Sequence, residues 1–158
     1  MRGSPALGLL MVFGVASPAF GTCAASATDV SFGSYYPFAP YALDFNGTIT
    51  VTCTASSGNS PVVIALDVGS VLQGGASYSE RNMALQANNL GFNLYINSAR
   101  TVVWGDGTGG SQTVSAPASL AASGGSASFT VYGRVRMGQR RYAPPGSYLD
   151  VITITMTY

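Results

Sequence analysis

The chain has 158 residues, of which 47% are apolar and 8% charged, and its formal net charge is +1. This apolar content is enough for one hydrophobic core and argues against global disorder, while the length suggests a single domain. Without a basic excess we expect no nucleic-acid binding, and without histidine there is no His-based triad, zinc site or proton shuttle. One Glu and five Asp offer little for paired-carboxylate chemistry, so we expect no enzyme, cofactor, metal site or small-molecule substrate.

Residues 1–21 have the features of an export signal. Arg2 supplies a positive charge, an apolar run of eleven residues follows, and small residues precede the end of the segment. The run is shorter than the roughly 20 apolar residues of a membrane-spanning helix, and it ends in a Ser-Pro pair. We therefore predict a signal peptide cleaved after Gly21, with a site after Ala19 as the alternative, and an exported domain over residues 22–158.

The chain has two cysteines, Cys23 and Cys53. Cys23 lies close enough to the predicted cleavage site to be a candidate for lipidation. However, Thr22 is a poor match to the small residue that such a signal requires, and lipidation would leave Cys53 alone. In an exported protein two cysteines more often form a disulfide. The bridge would close a loop of about 30 residues, and the chain-entropy model gives it about 3–4 kcal/mol.

Apolar residues alternate with period two in five segments, which is typical of β-strands with one buried face. In chain order the segments are residues 48–53, 62–68, 92–96, 129–135 and 148–158. The side chains expected to face inward are Ile49, Val51, Cys53, Val62, Ile64, Leu66, Val68, Phe92, Leu94, Ile96, Phe129, Val131, Val135, Ile152, Ile154, Met156 and Tyr158. In the last segment three threonines alternate with the apolar residues and face the other side.

Turn-forming residues separate these segments. They are Asn46-Gly47, Ser57-Gly58-Asn59, Gly74-Gly75, Asp106-Gly107, Gly124-Gly125 and Pro144-Pro145-Gly146. Glycine tolerates positive φ and proline fixes φ near −65°, as turns require. No long segment outside the signal has helical spacing. Short strands separated by turns predict an all-β fold, specifically an antiparallel β-sandwich.

Two further motifs have simple structural explanations. The glycine-rich residues 105–110 lack the Lys-Ser/Thr and the helix of a phosphate loop, and their single Asp offers too few oxygens for calcium. We expect a hairpin loop there, after residues 101–104. Asn46-Gly47-Thr48 matches a glycosylation sequon, but Asn-Gly is also the strongest hairpin-turn dipeptide, so we predict a turn.

Two side-chain clusters are candidates for binding. The aromatic cluster, which surrounds two prolines, contains Tyr35, Tyr36, Phe38 and Tyr41. We expect it to be buried or partly buried at one end of the sandwich; if exposed, it would be a sugar-stacking or partner-binding surface. The arginine cluster contains Arg134, Arg136, Arg140 and Arg141, and we expect a solvated strand face and the turn beyond it.

The order and spacing of several motifs identify a resemblance to a known family. The motifs are Val30-Ser31-Phe32-Gly33-Ser34-Tyr35, Ile49-Thr50-Val51-Thr52-Cys53, Arg81-Asn82-Met83-Ala84-Leu85, Leu94-Tyr95-Ile96, Val103-Trp104-Gly105-Asp106-Gly107, Tyr132-Gly133-Arg134 and residues 146–158. Together they cover nearly all of the mature chain. With these motifs the chain resembles the spore coat protein U domain family, which is similar to the subunits of archaic chaperone–usher pili.

The resemblance implies an immunoglobulin-like sandwich that lacks its final strand and carries a disulfide, matched here by Cys23 and Cys53. In such subunits a periplasmic chaperone lends a strand to a hydrophobic groove beside the last strand. At the usher, a neighbouring subunit's N-terminal extension replaces that strand, which is β-strand addition to an exposed edge. Carried onto this sequence, Ile152, Ile154, Met156 and Tyr158 would line the groove or the core beneath it.

One departure from the family pattern affects the expected role. Polymerising subunits have an alternating apolar donor segment before the first cysteine, whereas cleavage after Gly21 leaves only Thr22 before Cys23. We therefore expect an exported, non-catalytic subunit near the tip of a surface fibre, or a component of a spore or cell coat. The alternative is a self-contained secreted binding module, lectin-like or adhesive, that uses Tyr35, Tyr36 and Tyr41. A hydrolase dependent on Glu80 or an Asp is a distant third possibility.

Overall fold

The computed structural model describes residues 21–55, 60–71, 76–139, 144 and 146–158. Over these ranges the strands and the one helix are β1 Cys23–Ala27, β2 Leu43–Cys53, β3 Val62–Leu66, β4 Arg81–Leu85, β5 Asn88–Tyr95, β6 Val114–Ala116, α1 Ala118–Ser123, β7 Gly125–Val135 and β8 Ile154–Thr157. None of the helices in these ranges is long and apolar enough to cross a membrane. Several predicted features lie outside the described residues: residues 1–20 of the signal, the turns at 57–59 and 74–75, Pro145, Arg140 and Arg141.

The strands form two sheets. The larger has the order β1-β2-β7-β5-β4 and the smaller has the order β6-β3-β8. Neighbouring strands are antiparallel in every pair. The predicted all-β, antiparallel sandwich is therefore confirmed.

The core lies between the inner faces of the two sheets. In β2 and β3 the burial agrees with the predicted alternation, since the predicted inward residues Ile49, Val51, Val62 and Ile64 are all buried. Trp104 is fully buried as well, and its Nε1 donates a hydrogen bond to the Ile64 carbonyl at 3.0 Å. The indole thus fills the space beside β3 and satisfies its one polar group there.

A disulfide joins the first two strands. Cys23 and Cys53 lie directly opposite each other in the β1–β2 pairing, and their sulfurs are bonded. The pairing proposed from export and cysteine number is therefore present, and it fastens β1, an edge strand, to β2, its neighbour in the larger sheet. Cys53 is itself buried in the core.

The turn predicted at Asn46-Gly47 is wrong, because both residues lie inside β2 and pair with β7. The glycine serves a close approach instead of a turn. A Cβ on Gly47 would lie 2.7 Å from Val30 Cγ2, and one on Gly133, in β7, would lie 2.7 Å from Val30 Cγ1. The two glycines therefore leave a depression in the sheet into which Val30 packs.

The strand predicted over residues 148–158 is regular only in β8. Upstream, Leu149 exchanges two backbone hydrogen bonds with Ala84 of β4, at 2.9 and 3.1 Å, and so belongs beside the larger sheet. Further on, β8 pairs with β3 of the smaller sheet. The chain crosses from one sheet to the other over residues 149–153, so one continuous ladder cannot form.

The helix α1 was not predicted. It follows Pro117, ends at Gly124 with φ of 75°, and buries Leu120 and Ala121. Six residues are too few for the helical spacing of apolar side chains to be recognised in the sequence.

Candidate functional site

An open cavity of about 1280 Å³ lies between the sheets. Its apolar floor comes from both sheets and includes Leu66, Phe92, Leu94, Val131 and Val135. Pockets for small molecules usually have volumes of about 300–1,000 Å³. The size and apolar floor of this cavity, which we call the groove, suit a segment of polypeptide better than a small ligand.

The first wall of the groove is formed by residues 27–38, which follow β1. Val30 and Phe32 hold this segment against the core, and the Phe32 ring meets the Phe92 ring edge to face with centroids 6.0 Å apart. The depression at Gly47 and Gly133 makes this contact possible.

The second wall is formed by residues 146–152 together with Ile154. Asp150 anchors it: its Oδ1 accepts hydrogen bonds from Ser70 N at 2.9 Å, Ser70 Oγ at 3.0 Å, Val71 N at 3.1 Å and Val151 N at 2.9 Å. Oδ2 of the same carboxylate is buried, and within the described ranges it has no hydrogen-bond partner. The carboxylate therefore ties the irregular crossing segment to the segment that follows β3.

The free edge of β8 borders the groove. One side of β8 pairs with β3 from Leu66–Ile154 to Val63–Thr157, whereas the other side has no strand partner in the part of the chain that the structure describes. β1, the edge strand of the larger sheet, lies near β8. Alternate N–H and C=O groups of β8 are thus available to another strand.

The four residues predicted to line the groove have different environments in the structure. Ile152 and Ile154 are half-buried and line the groove. Met156 is half-buried against the core without lining the groove, and Tyr158 is 51% exposed. The groove is therefore wider than predicted, because the first wall and the larger sheet contribute most of its surface.

The aromatic cluster is mostly exposed, so the expected burial is wrong for three of its members. Tyr36, Phe38 and Tyr41 are 68%, 75% and 63% exposed, whereas Tyr35 is half-buried and its hydroxyl accepts a hydrogen bond from Gln139 N at 3.0 Å. Tyr36 and Phe38 lie in a turn closed by a hydrogen bond from Ala39 N to the Tyr36 carbonyl, and Tyr41 follows this turn.

The described members of the arginine cluster form ion pairs, as expected for a solvated strand face. Arg134 donates to both carboxylate oxygens of Asp44, at 2.7 and 2.8 Å, and this hydrogen bonding lowers the pKa of Asp44. Arg136 pairs with Glu80. Both arginines therefore pair with carboxylates of the same chain.

A buried polar cluster around Arg81 escaped the sequence reasoning. The guanidinium is fully buried and donates to the Asp67 carbonyl, the Trp104 carbonyl and Asn93 Oδ1. Desolvation lowers the pKa of Arg81 to about 10. The sequence singles out Arg81 only through its place in a family motif. Its neighbours have the pattern of an ordinary strand and do not indicate that the arginine is buried.

The acidic side chains of the described ranges do not form a metal site. No group of three or more acidic, cysteine or histidine side chains in those ranges is placed to hold a metal ion. In the glycine-rich loop, the Asp106 carboxylate accepts hydrogen bonds from Thr108 N at 2.8 Å and Thr108 Oγ1 at 2.7 Å, and so closes its own turn.

An immunoglobulin-like sandwich with an open groove beside its last strand is a pilin-like fold. The family model described as Spore Coat Protein U domain matches residues 10–155, and the chain belongs to this family. No curated protein matches the chain.

Among solved structures, the chain is similar to one chain of the CsuC–CsuE chaperone–tip adhesion subunit pre-assembly complex from the archaic chaperone–usher Csu pili of Acinetobacter baumannii. The TM-score is 0.58 and the identity is 20%; the match covers 87% of this chain and 40% of the other. The chain therefore spans less than half the length of that relative, and the likeness concerns the fold.

Proposed function

We propose that this protein is an exported, non-catalytic structural subunit of a surface fibre or coat, whose groove is filled by a β-strand from another chain. The observation that carries the proposal is the free edge of β8 beside the open groove. A strand laid against this edge would gain backbone hydrogen bonds, and its alternate side chains would enter the apolar groove. Membership of the family and the fold of the Csu complex support this proposal.

The partners that this function requires are a periplasmic chaperone, an usher and neighbouring subunits. The chaperone would supply the first strand and a subunit would replace it. Placement near the tip of the fibre remains a prediction that depends on removal of the predicted signal, because cleavage after Gly21 would leave only Thr22, and no donor segment, before Cys23. Sequencing the N-terminus of the exported protein tests this point.

The experiment that tests the proposal uses the oxidised mature chain, residues 22–158. Its thermal unfolding by circular dichroism and its size by light scattering are recorded alone and with a co-expressed chaperone or a donor-strand peptide. We expect the chain alone to unfold or aggregate and the strand to restore a cooperative melt. A clean, cooperatively melting monomer without any partner would contradict the proposal.

A matched pair of variants locates the effect at the groove. Ile154→Asp places a charge on the half-buried face of β8 that lines the groove, and we expect it to prevent recovery of the strand-bound protein. Thr155→Asp puts the same charge on the exposed face of the same strand and should leave recovery unchanged. Equal recovery of the two variants would refute the assignment of the groove.

Exposure of the aromatic cluster favours a second function, that of a self-contained binding module. Tyr36 and Tyr41 present their rings to solvent, and exposed aromatic rings can stack on sugars or partner surfaces. This alternative predicts a chain that folds alone and binds glycans, with binding lost in Tyr36→Ala and Tyr41→Ala. A glycan array that shows no binding by the folded chain would eliminate it.

A further inference from the structure

The hydrogen bonds between β3 and β8 change in kind at Asp67, the residue that follows β3. Asp67 lies opposite Thr153, and its N–H donates to the Thr153 carbonyl at 3.2 Å. In a regular antiparallel pair, Thr153 N would return a bond to the Asp67 carbonyl. It donates to the Asp67 side chain instead, to Oδ1 at 3.0 Å. The next backbone bond, from Ser70 N to the Val151 carbonyl, is shifted by one residue, so the regular ladder ends at Asp67 and Thr153.

The Asp67 carbonyl is occupied by the buried Arg81. Its Nε and Nη2 donate to this carbonyl at 2.9 and 2.8 Å, and two donors fill both lone pairs that the ladder would otherwise use. The same guanidinium donates to Asn93 Oδ1 at 2.6 Å and to the Trp104 carbonyl at 2.7 Å. Arg81 therefore fastens the end of β3 to β5 of the larger sheet and to the segment that carries Trp104.

The end of the ladder determines which backbone groups β8 offers to another chain. Because Thr153 faces β3 and direction alternates along a strand, the N–H and C=O groups of Ile154 and Met156 point to the free edge. Ile154 comes first, and it directly follows the residue that the Asp67 carboxylate holds. The position of this first free group thus depends on a side chain of β3's end and on the arginine behind it.

We propose that Arg81 and Asp67, which we call the latch, set where an accepted strand begins to pair with β8. Arg81 is a positioning residue that acts through Asp67: it occupies the carbonyl and leaves the carboxylate to hold Thr153. With the start of β8 held in this way, pairing begins at Ile154; without the latch it begins only at Met156. The inference rests on the proposed function, since it specifies how the edge that accepts the strand is positioned.

The test uses the oxidised mature chain bound to a donor-strand peptide of about ten residues of alternating Val and Thr. Amide hydrogen exchange is followed by NMR, and the readout is the exchange rate of Ile154 divided by that of Met156. Opening of the whole complex exposes both amides, so a general loss of stability does not raise this ratio. Asp67→Ala should raise it at least about tenfold, and Asp67→Asn, whose amide oxygen can accept the same bonds, should restore it.

An arginine variant tests whether Arg81 acts through Asp67. Arg81→Lys keeps the charge but lacks the planar fork that donates to the Asp67 carbonyl from two nitrogens, so it should also raise the ratio. Adding Asp67→Ala to it should raise the ratio no further than Asp67→Ala alone. Asp44→Ala is the matched control: it removes a carboxylate that accepts hydrogen bonds from Arg134 at 2.7 and 2.8 Å, but Asp44 lies in β2 and does not line the groove. It should leave the ratio unchanged.

The outcomes separate this inference from the function on which it rests. If the peptide slows exchange in β8 but slows Met156 alone, or if Asp67→Ala or Arg81→Lys leaves the ratio unchanged, the latch is overturned and strand acceptance stands. The same conclusion follows if Asp44→Ala raises the ratio as much as Asp67→Ala does. If the peptide slows exchange at neither Ile154 nor Met156 of the unaltered chain, both the latch and strand acceptance are overturned.

Discussion

Replacing Asp150 tests whether one carboxylate fixes the second wall of the groove. Asp150→Ala removes an acceptor of four hydrogen bonds, three of which come from Ser70 and Val71 across the chain crossing. Hydrogen bonds to a charged group contribute about 1.5–3 kcal/mol each, but Ser70 is exposed and water can replace part of them. We therefore expect a total loss of about 2–3 kcal/mol in the free energy of unfolding.

The assay combines urea unfolding of the oxidised mature chain bound to a donor-strand peptide with hydrogen exchange of its amides. Exchange at Ser70, Val71 and Val151 should accelerate, because their N–H groups lose their acceptor. Asp29→Ala is the control: it removes an exposed carboxylate from the same groove, and no hydrogen bond to Asp29 is found over the described ranges. Equal urea midpoints and unchanged exchange in the two variants would refute the anchoring role of Asp150.

Three further variants test other parts of the fold. Cys53→Ser should lower the free energy of unfolding of the oxidised protein by about 3–4 kcal/mol, and a melting temperature equal to that of the oxidised wild type would argue against a stabilising bridge. Gly133→Ala should cost about 1–3 kcal/mol in urea unfolding, because its Cβ would lie 2.7 Å from Val30; an unchanged midpoint would show that the first wall moves freely. Hydrogen bonding to Arg134 lowers the pKa of Asp44 from 3.8, so the stabilisation is present above the unfolded-state pKa and is lost as pH falls through the lower folded-state pKa. Asp44→Asn should remove this part of the acid dependence of the melting temperature, and an identical pH profile in the variant would contradict it.

Strands with one buried face were predictable from the sequence. In β2, β3, β5 and β7 most inward residues alternate with polar or small ones, and the pattern correctly identified buried residues such as Val51, Ile64, Leu94 and Val131. The two cysteines and the export signal were enough to propose the disulfide, because an oxidising destination favours pairing. These features depend on residues near in sequence or on one simple chemical rule.

The errors concern features decided by distant contacts. Asn46-Gly47 has the local chemistry of a turn, but the approach of Val30 from another segment is what requires the glycine. Alternation over residues 148–158 continues through the crossing between sheets, since an apolar pattern does not show which strand is its neighbour. The exposed positions of Tyr36 and Phe38 likewise depend on where the first wall ends relative to the core.

The groove itself was anticipated only in part. Alternation placed Ile152 and Ile154 on one face, and the family resemblance suggested what that face borders. The contribution of residues 27–38 could not be foreseen, because this wall has no regular secondary structure after β1 ends at Ala27 and so no periodic pattern. Its position depends on Phe32 packing against Phe92, which are sixty residues apart in the chain.

The central claim is that β8 offers its second edge to a strand of another chain. Amide hydrogen exchange of the oxidised mature chain, measured with and without a bound donor-strand peptide, tests it most directly. We predict that the amides of β8 that do not pair with β3 become at least about tenfold slower to exchange when the strand binds, whereas amides on the outer edge of β6 do not. A donor strand that binds and leaves exchange in Ile154–Thr157 unchanged would contradict the account.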